Sequence, residues 1–451
     1  MRLTNPHPAS VTLERMATSG QESGELEETA AIARDLIRFE TVNFGGGRSK
    51  GETEAAEYVA AKLEALGLAP QLFDSEPGRT SVVARVPGRD PERPAMVLHG
   101  HLDVVPADAA NWSVDPFEGV IKDGMLWGRG AVDMKDMDAM ILTSLGDILS
   151  AGELPARELI VTYFADEENG GVYGSHFMVD EHPELFAGAT EAVSEVGGYS
   201  IDLGGTRAYL LQTGEKALVW IKLIARGTAA HGSRVFRDNA VTKLAEAVAK
   251  LGREEWPVHL TATTRDQLGR LAEILGGSVD DPDALILSAG TAAGFLQAGI
   301  HVTTNPTVLE AGYKHNVIPD RAEALIDTRP FPGREDEVLA RIREIVGPEI
   351  EIEIVHHDIG MEGEFSGDLV DAMVASLHRF DPGAPVLPYL MSGGTDNKAL
   401  AKLGITGYGF APLKLGPELN FPAMFHGVDE RVPLDALAFG RAVLADFLRT
   451  C

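Results

Sequence analysis

The apolar run Met96, Val97, Leu98 ends in His99-Gly100-His101-Leu102-Asp103. His101 and Asp103 alternate with Leu102, so on an extended backbone both side chains project to one side. An imidazole that holds a metal ion needs its tautomer and orientation fixed, and an acid two residues along a strand end can do this. Residues of ligand type recur further on: Asp133 heads an apolar-striped segment, Asp166-Glu167-Glu168 follows a run at 158–164, Glu195 precedes Gly197-Gly198, and His426 precedes Gly427. Singly, each has an ordinary reading, Asp133 as a helix N-cap and the acidic triplet as a solvated loop. Together, His101, Asp133, Glu167, Glu168, Glu195 and His426 supply two imidazoles and four carboxylates. That set suits a pair of divalent ions, which take nitrogen and carboxylate oxygen and can share a bridging carboxylate, with one acid left uncoordinated as a base. The only cysteine is Cys451, so no thiolate site or internal disulfide is open to the chain.

The elements that must position these residues read as alternating α/β. Helices are expected at about 26–37, 52–66 and 134–149, and strands at 81–86, 96–102, 158–164 and 192–196. Runs such as 96–102 and 158–164 are continuously apolar, as strands covered on both faces are. His101, the acidic triplet and Glu195 then all fall at carboxyl ends of strands, where open α/β sheets place their chemistry. The loop 104–133 is long enough to be functional in its own right. From about residue 213 the pattern changes to strands at 218–225, 302–309 and 322–328 with a helix at 239–251. This predicts an inserted α+β domain over 213–331, in which 256–299 is expected to hold helices only. Beyond it, helices at 336–345, 369–377 and 434–448 and strands at 350–355 and 405–411 resume the α/β alternation. The expected organisation is a loose leader over 1–25, a doubly wound catalytic domain with a mixed sheet over 26–212 and 332–451, and the insertion between.

At 451 residues, with 44% hydrophobic and 24% charged, the chain can build two or three domains with a substantial core. A net charge of −29, from 39 basic and 68 acidic residues, argues against a nucleic-acid or anionic-membrane partner. No segment resembles a signal peptide or membrane span, so cytoplasmic residence is expected.

With these residues in view, the sequence resembles the cocatalytic zinc peptidases and deacylases, a family that includes glutamate carboxypeptidase, acetylornithine deacetylase, succinyl-diaminopimelate desuccinylase, aminoacylase and carboxypeptidase S. The motifs that carry the resemblance are Gly100-His101-Leu102-Asp103, Gly128-Arg129-Gly130-Ala131-Val132-Asp133-Met134-Lys135, Asp166-Glu167-Glu168 with its following glycines, and His426-Gly427. The resemblance implies that His101 and Glu195 bind one ion, Glu168 and His426 the other, and that Asp133 bridges them. It makes Asp103 the residue that orients His101, Glu167 the general base, and the Asp133-Met134 peptide cis. His231, by itself a surface-type residue in a loop of small residues, matches a histidine that reaches into the partner subunit's site. Asn316, Arg329, Gly394 and Thr395 match positions that touch substrate, Arg329 with a guanidinium fork suited to a carboxylate. Two features depart from the family: Asp136-Met137-Asp138 stands where glycines are usual, and His315 adjoins Asn316.

The function so implied is hydrolysis of an amide bond in a small peptide or N-acyl amino acid, by a homodimer carrying two divalent ions per chain, zinc first and cobalt or manganese as alternatives. A non-catalytic relative would use the same cleft only to bind or sense a ligand. The presence of every implied ligand and of the base favours hydrolysis. The choice among dipeptidase, carboxypeptidase and deacylase is left open.

Overall fold

The computed structural model describes residues 26–451, so the leader expected over 1–25 lies outside the described residues. Two sheets organise the chain. The larger has ten strands, with Thr406–Gly409, Ala189–Ser194, Ala95–His101 and Leu159–Phe164 adjacent and parallel at its centre. Arg79–Val86 and Gln71–Glu76 continue it antiparallel on one side. On the other, Thr206–Glu215 takes Val386–Met391 parallel and Ser200–Leu203 antiparallel. All seven residues of Ala95–His101 and all six of Leu159–Phe164 are buried, because helices cover both faces. One face packs against Glu28–Arg38, Thr53–Ala65, Lys135–Ser150, Asp368–Phe380 and Leu434–Thr450. The other packs against Ser175–Glu181 and Asn397–Ala401.

The second sheet is four-stranded and antiparallel, in the order Thr303–Ala311, Arg321–Arg329, Leu218–Arg226, Ile350–Asp358. Every second residue of Arg321–Arg329 is buried, the period-2 pattern of a sheet covered on one face. The covering helices are Ala240–Leu251 and Glu335–Val346.

Two placements differ from the expected outline. The unit built on the second sheet runs past residue 331: Glu335–Val346 and Ile350–Asp358 belong to it rather than to the resumed α/β domain, since Leu218 to Ala225 pair with Ile350–Asp358 and Val338, Leu339 and Ile342 pack into the same core. Conversely, the helices Ala262–Leu275, Pro282–Leu287 and Ala293–Gln297, in the middle of the expected insertion, pack their Leu268, Leu271, Leu285 and Leu296 into the core of the larger domain. Amphipathic periodicity states that a helix has an apolar face but not which of two cores receives it. No helix among the described residues is long and apolar enough to cross a membrane.

Candidate metal centre

Three of the parallel strands deliver ligand-type residues from their carboxyl ends. His101 closes Ala95–His101, Glu195 follows Ala189–Ser194, and the turn Glu167–Asn169 follows Leu159–Phe164. Asp133 arrives from the long loop and His426 from the loop before Leu434–Thr450. They converge: His101 Nε2 lies 3.1 Å from Asp133 Oδ1 and 3.7 Å from Glu195 Oε1. His426 Nε2 lies 3.2 Å from Asp133 Oδ2 and 3.0 Å from Glu168 Oε2. Asp133 thus offers one carboxylate oxygen to each imidazole. Glu167 also has an oxygen close enough to His101 and Glu195 to share an ion with them.

His101 is fixed by its other nitrogen. Nδ1 is 3.0 Å from the Asp103 carbonyl and 3.5 Å from its carboxylate, so donation from Nδ1 leaves the Nε2 lone pair facing the centre. The Asp103 carboxylate is occupied elsewhere. It accepts from the backbone N–H of Glu167 at 3.0 Å and of Glu168 at 3.2 Å, and from the Asn43 amide at 2.8 Å. Asp103 therefore positions the acidic turn as well as the imidazole. The second hydrogen of that amide goes to Asp166, at 2.9 Å, and Asp166 is also paired with the buried Arg79, which in turn binds Glu52. Asp166 stands in the left-handed region, with φ of 65°, and this conformation turns the chain so that Glu167 and Glu168 both face inward.

The loops carrying Asp133 and His426 are tied to each other. Glu430 accepts from the N–H of Val132 at 2.7 Å and of Asp133 at 3.2 Å, and Arg129 bridges Glu430, at 2.7 Å, to the Gly427 carbonyl, at 2.9 Å. The Asp133-Met134 peptide is cis, and the Met134 sulfur receives the His101 N–H. Asn43, Arg79, Glu52 and Glu430 escaped sequence reasoning, although Glu430, four residues after His426, and Arg129, within the glycine motif, were visible as charged residues in apolar or glycine-rich settings.

Negative charge exceeds what the imidazoles can balance. Burial pushes Glu195 up to about 8, with Asp133 adding to the shift. Burial likewise holds Glu167 well above the carboxylate range; His101 opposes this, and Glu195, Asp396 and Glu168 reinforce it. Glu168 is raised for the same reason. Burial opposes ionisation of Asp133 too, yet hydrogen bonds from His101 and His426 hold it below its ordinary value. Burial works against a charged His101, but Glu195, Asp103 and Asp133 outweigh it and raise its pKa well above the usual imidazole range. Three buried acids with raised pKa values, beside two imidazoles that share a fourth, are a fit for divalent cations, and the donor set of imidazole and carboxylate suits zinc and its neighbours.

A cavity of about 310 Å³ opens over the cluster, between the two sheets. Asp133, Glu167, Glu168, Glu195 and His426 form one part of its lining, and Arg329, Gly394 and Thr395 another. Arg329 is partly neutralised, since its Nε and Nη2 lie 2.6 and 2.9 Å from the two oxygens of Asp327. Asn316 and His231 do not line the cavity. They sit together elsewhere on the second domain, where Ala230–His231 pairs with Val317–Ile318 and the Gly232 N–H donates to the Asn316 carbonyl at 2.9 Å. His231 is exposed, with its Nδ1 2.8 Å from the Ser233 hydroxyl. The unusual Asp136 and Asp138 do not face the cavity either: both are buried in the first turn of Lys135–Ser150. Asp138 fills the space left by Gly100, where a Cβ would stand 2.2 Å from its Oδ1, and burial raises it to about 7.

Comparison with known proteins gives the same answer. The family model "Peptidase family M20/M25/M40" matches residues 97–450. Aminoacylase-1 of Sus scrofa is 26% identical over 440 residues, covering 92% of this chain and 93% of the relative. The M20 family metallo-carboxypeptidase Sso-CP2 of Sulfolobus solfataricus superimposes with a TM-score of 0.75 at 19% identity, covering 94% of this chain and 99% of that one. The di-peptidase Dug1p of Saccharomyces cerevisiae does so with a TM-score of 0.72 at 15% identity, over 99% of both chains. The matched span takes in His101, Asp133, Glu167, Glu168, Glu195 and His426, and the chain belongs to peptidase family M20/M25/M40.

Proposed function

We propose that the protein is a dinuclear metallohydrolase that cleaves the amide bond of a small peptide or N-acyl amino acid. The observation that carries this reading is Asp133, whose two carboxylate oxygens face two imidazoles, each backed by a further glutamate. His101, Glu195 and Asp133 would hold one ion, and Glu168, His426 and Asp133 the other. Bound there, divalent ions such as zinc supply Lewis acidity, which lowers the pKa of water and draws charge from a carbonyl. The raised pKa of Glu167 suits it to take a proton from the attacking water and pass it to the leaving amine. Arg329, Gly394 and Thr395, which share the cavity with Glu167, would hold the substrate's carboxylate end. His231 and Asn316 lie together away from this cavity, and a homodimer in which each chain completes the other's cavity would give them a role there. The names of the relatives, an aminoacylase and a di-peptidase, bracket the substrate class.

The test is metal analysis joined to a hydrolysis screen of dipeptides and N-acyl amino acids. We expect roughly two divalent ions per chain, loss of activity on chelation, and recovery with zinc, cobalt or manganese. Full activity in a preparation verified as metal-free would end this reading.

A further inference from the structure

The cavity wall next to the acids is apolar. Val196, Phe295, Met391, Pro422 and Phe425 line it together with the charged cluster. Two of these are chain neighbours of the candidate ligands: Val196 follows Glu195, and Phe425 precedes His426. Val196 lines the cavity with φ of 53°, a conformation that a β-branched residue rarely adopts. The apolar surface therefore begins directly at the reacting centre rather than at the cavity's far rim.

Phe295 comes from the segment that crosses back from the second domain onto the larger one. Its ring stacks on Tyr389, with centroids 4.6 Å apart and planes at 18°, and its other aromatic neighbour is Tyr199 at 6.4 Å. Tyr199 also meets Phe421 at 5.1 Å and Phe425 at 6.3 Å, so one buried ring ties the two sides of the wall together. Its backing is anchored: Gln267 donates to the Pro388 carbonyl at 2.9 Å, and Thr263 N–H donates to Glu362 at 2.8 Å. A rigid aromatic face of this kind gives contact area without the cost of ordering loose side chains.

Resting on the amide-hydrolase reading, we propose that this wall selects substrates with a bulky apolar group directly beside the scissile amide, and that Phe295 sets the preference. The same surface would accept an amino-acid side chain or an acyl chain. The experiment separates them with N-acetyl-L-phenylalanine, N-phenylacetylglycine and N-acetylglycine as probes. At least one of the first two should exceed N-acetylglycine in kcat/KM by about 10-fold or more, the scale of discrimination that small changes in hydrophobic contact produce. Phe295→Ala should collapse that ratio toward one with metal content unchanged, and Phe295→Leu should retain part of it. Equal kcat/KM for all three probes, or an unchanged ratio in a folded Phe295→Ala or Phe295→Leu enzyme, would overturn the proposal while leaving the hydrolase reading intact. Should none of the three be hydrolysed, and no dipeptide of the hydrolysis screen either, that reading fails instead. The wall is then judged by calorimetric affinity of the metal-loaded protein for the same three compounds, where absence of a 10-fold preference rejects it.

Discussion

Glu167 and Glu168 are chain neighbours that one short turn sends to different surroundings. Glu168 meets His426 and accepts from the Val105 N–H at 3.2 Å, whereas Glu167 sits in the more crowded field of Glu195, Asp396 and Glu168. Glu167→Gln should keep the ions and lose about 10²- to 10⁴-fold in kcat, the usual contribution of general-base assistance. Glu168→Gln should instead weaken metal binding, read by chelator competition; equal loss of metal in both variants would remove the division of roles. Asn43 stands behind both. Its amide separates the buried carboxylates of Asp103 and Asp166, so Asn43→Ala leaves two acids short of a donor. Leaving buried groups unsatisfied costs about 1–3 kcal/mol, and we expect that loss in urea unfolding of the metal-free protein. A variant as stable as the parent would show that water or Arg79 replaces the amide.

At the scale of elements, strand ends explain why residues far apart in the chain share a site, and one strand end also joins the two domains. Asp358, at the close of Ile350–Asp358 on the second sheet, lies 2.6 Å from His356 and 3.1 Å from His176 on Ser175–Glu181 of the larger domain. The His356 ring rests against Gly170, where a Cβ would come within 2.9 Å of it, and glycine also takes the φ of 85° there without strain, so the turn after Glu168 lets the two domains approach closely. Burial opposes the charge on Asp358, but hydrogen bonds from both histidines hold its pKa below the ordinary 3.8. The folded state then binds fewer protons than the unfolded one, so this stabilisation is present in full above the unfolded pKa of 3.8 and is lost as the pH falls toward the folded value. Asp358→Asn should be less stable than the parent at neutral pH, and the gap should narrow below about pH 4. Thermal unfolding measured across that range checks it; a gap independent of pH would mean the carboxylate's charge is not what holds the interface.

At the scale of the whole molecule, the second domain has two relations to the centre. Through Trp220, Arg329 and Asp358 it lines the cavity of its own chain. Its His231 and Asn316 lie together away from that cavity, with His231 exposed. If His231 acts on a partner's site, His231→Ala should leave folding and metal content intact and raise the barrier by about 2.7 to 4 kcal/mol, as loss of an oxyanion donor does. Mixing His231→Ala with Glu167→Gln under conditions that exchange subunits should restore part of the activity, because one site of the mixed dimer has an intact Glu167 and a His231 lent by the other chain. No recovery despite demonstrated exchange would confine His231 to a surface role.

The sequence by itself determined the chemistry. Residue types and spacing singled out His101, the acidic triplet and Glu195 as candidates, because each follows an apolar run that breaks into polar residues, and that transition is local and visible in one dimension; Asp133 and His426 joined them by residue type beside glycine motifs. It also pointed to a second sheet, because the α/β alternation up to about residue 212 gives way to strands at 218–225, 302–309 and 322–328. Only the tertiary structure decided which core received 262–297 and 335–358, since an apolar helix face or an apolar strand face fits either. It alone placed Asp103 under the acidic turn, Asn43 between two carboxylates and Glu430 beneath Asp133, because hydrogen bonds between residues 60 to 300 positions apart leave no periodic trace. And it alone brought Phe295 to the cavity that the candidate ligands line: the shape and polarity of a cavity depend on which distant side chains meet, and that is fixed by packing, not by pattern.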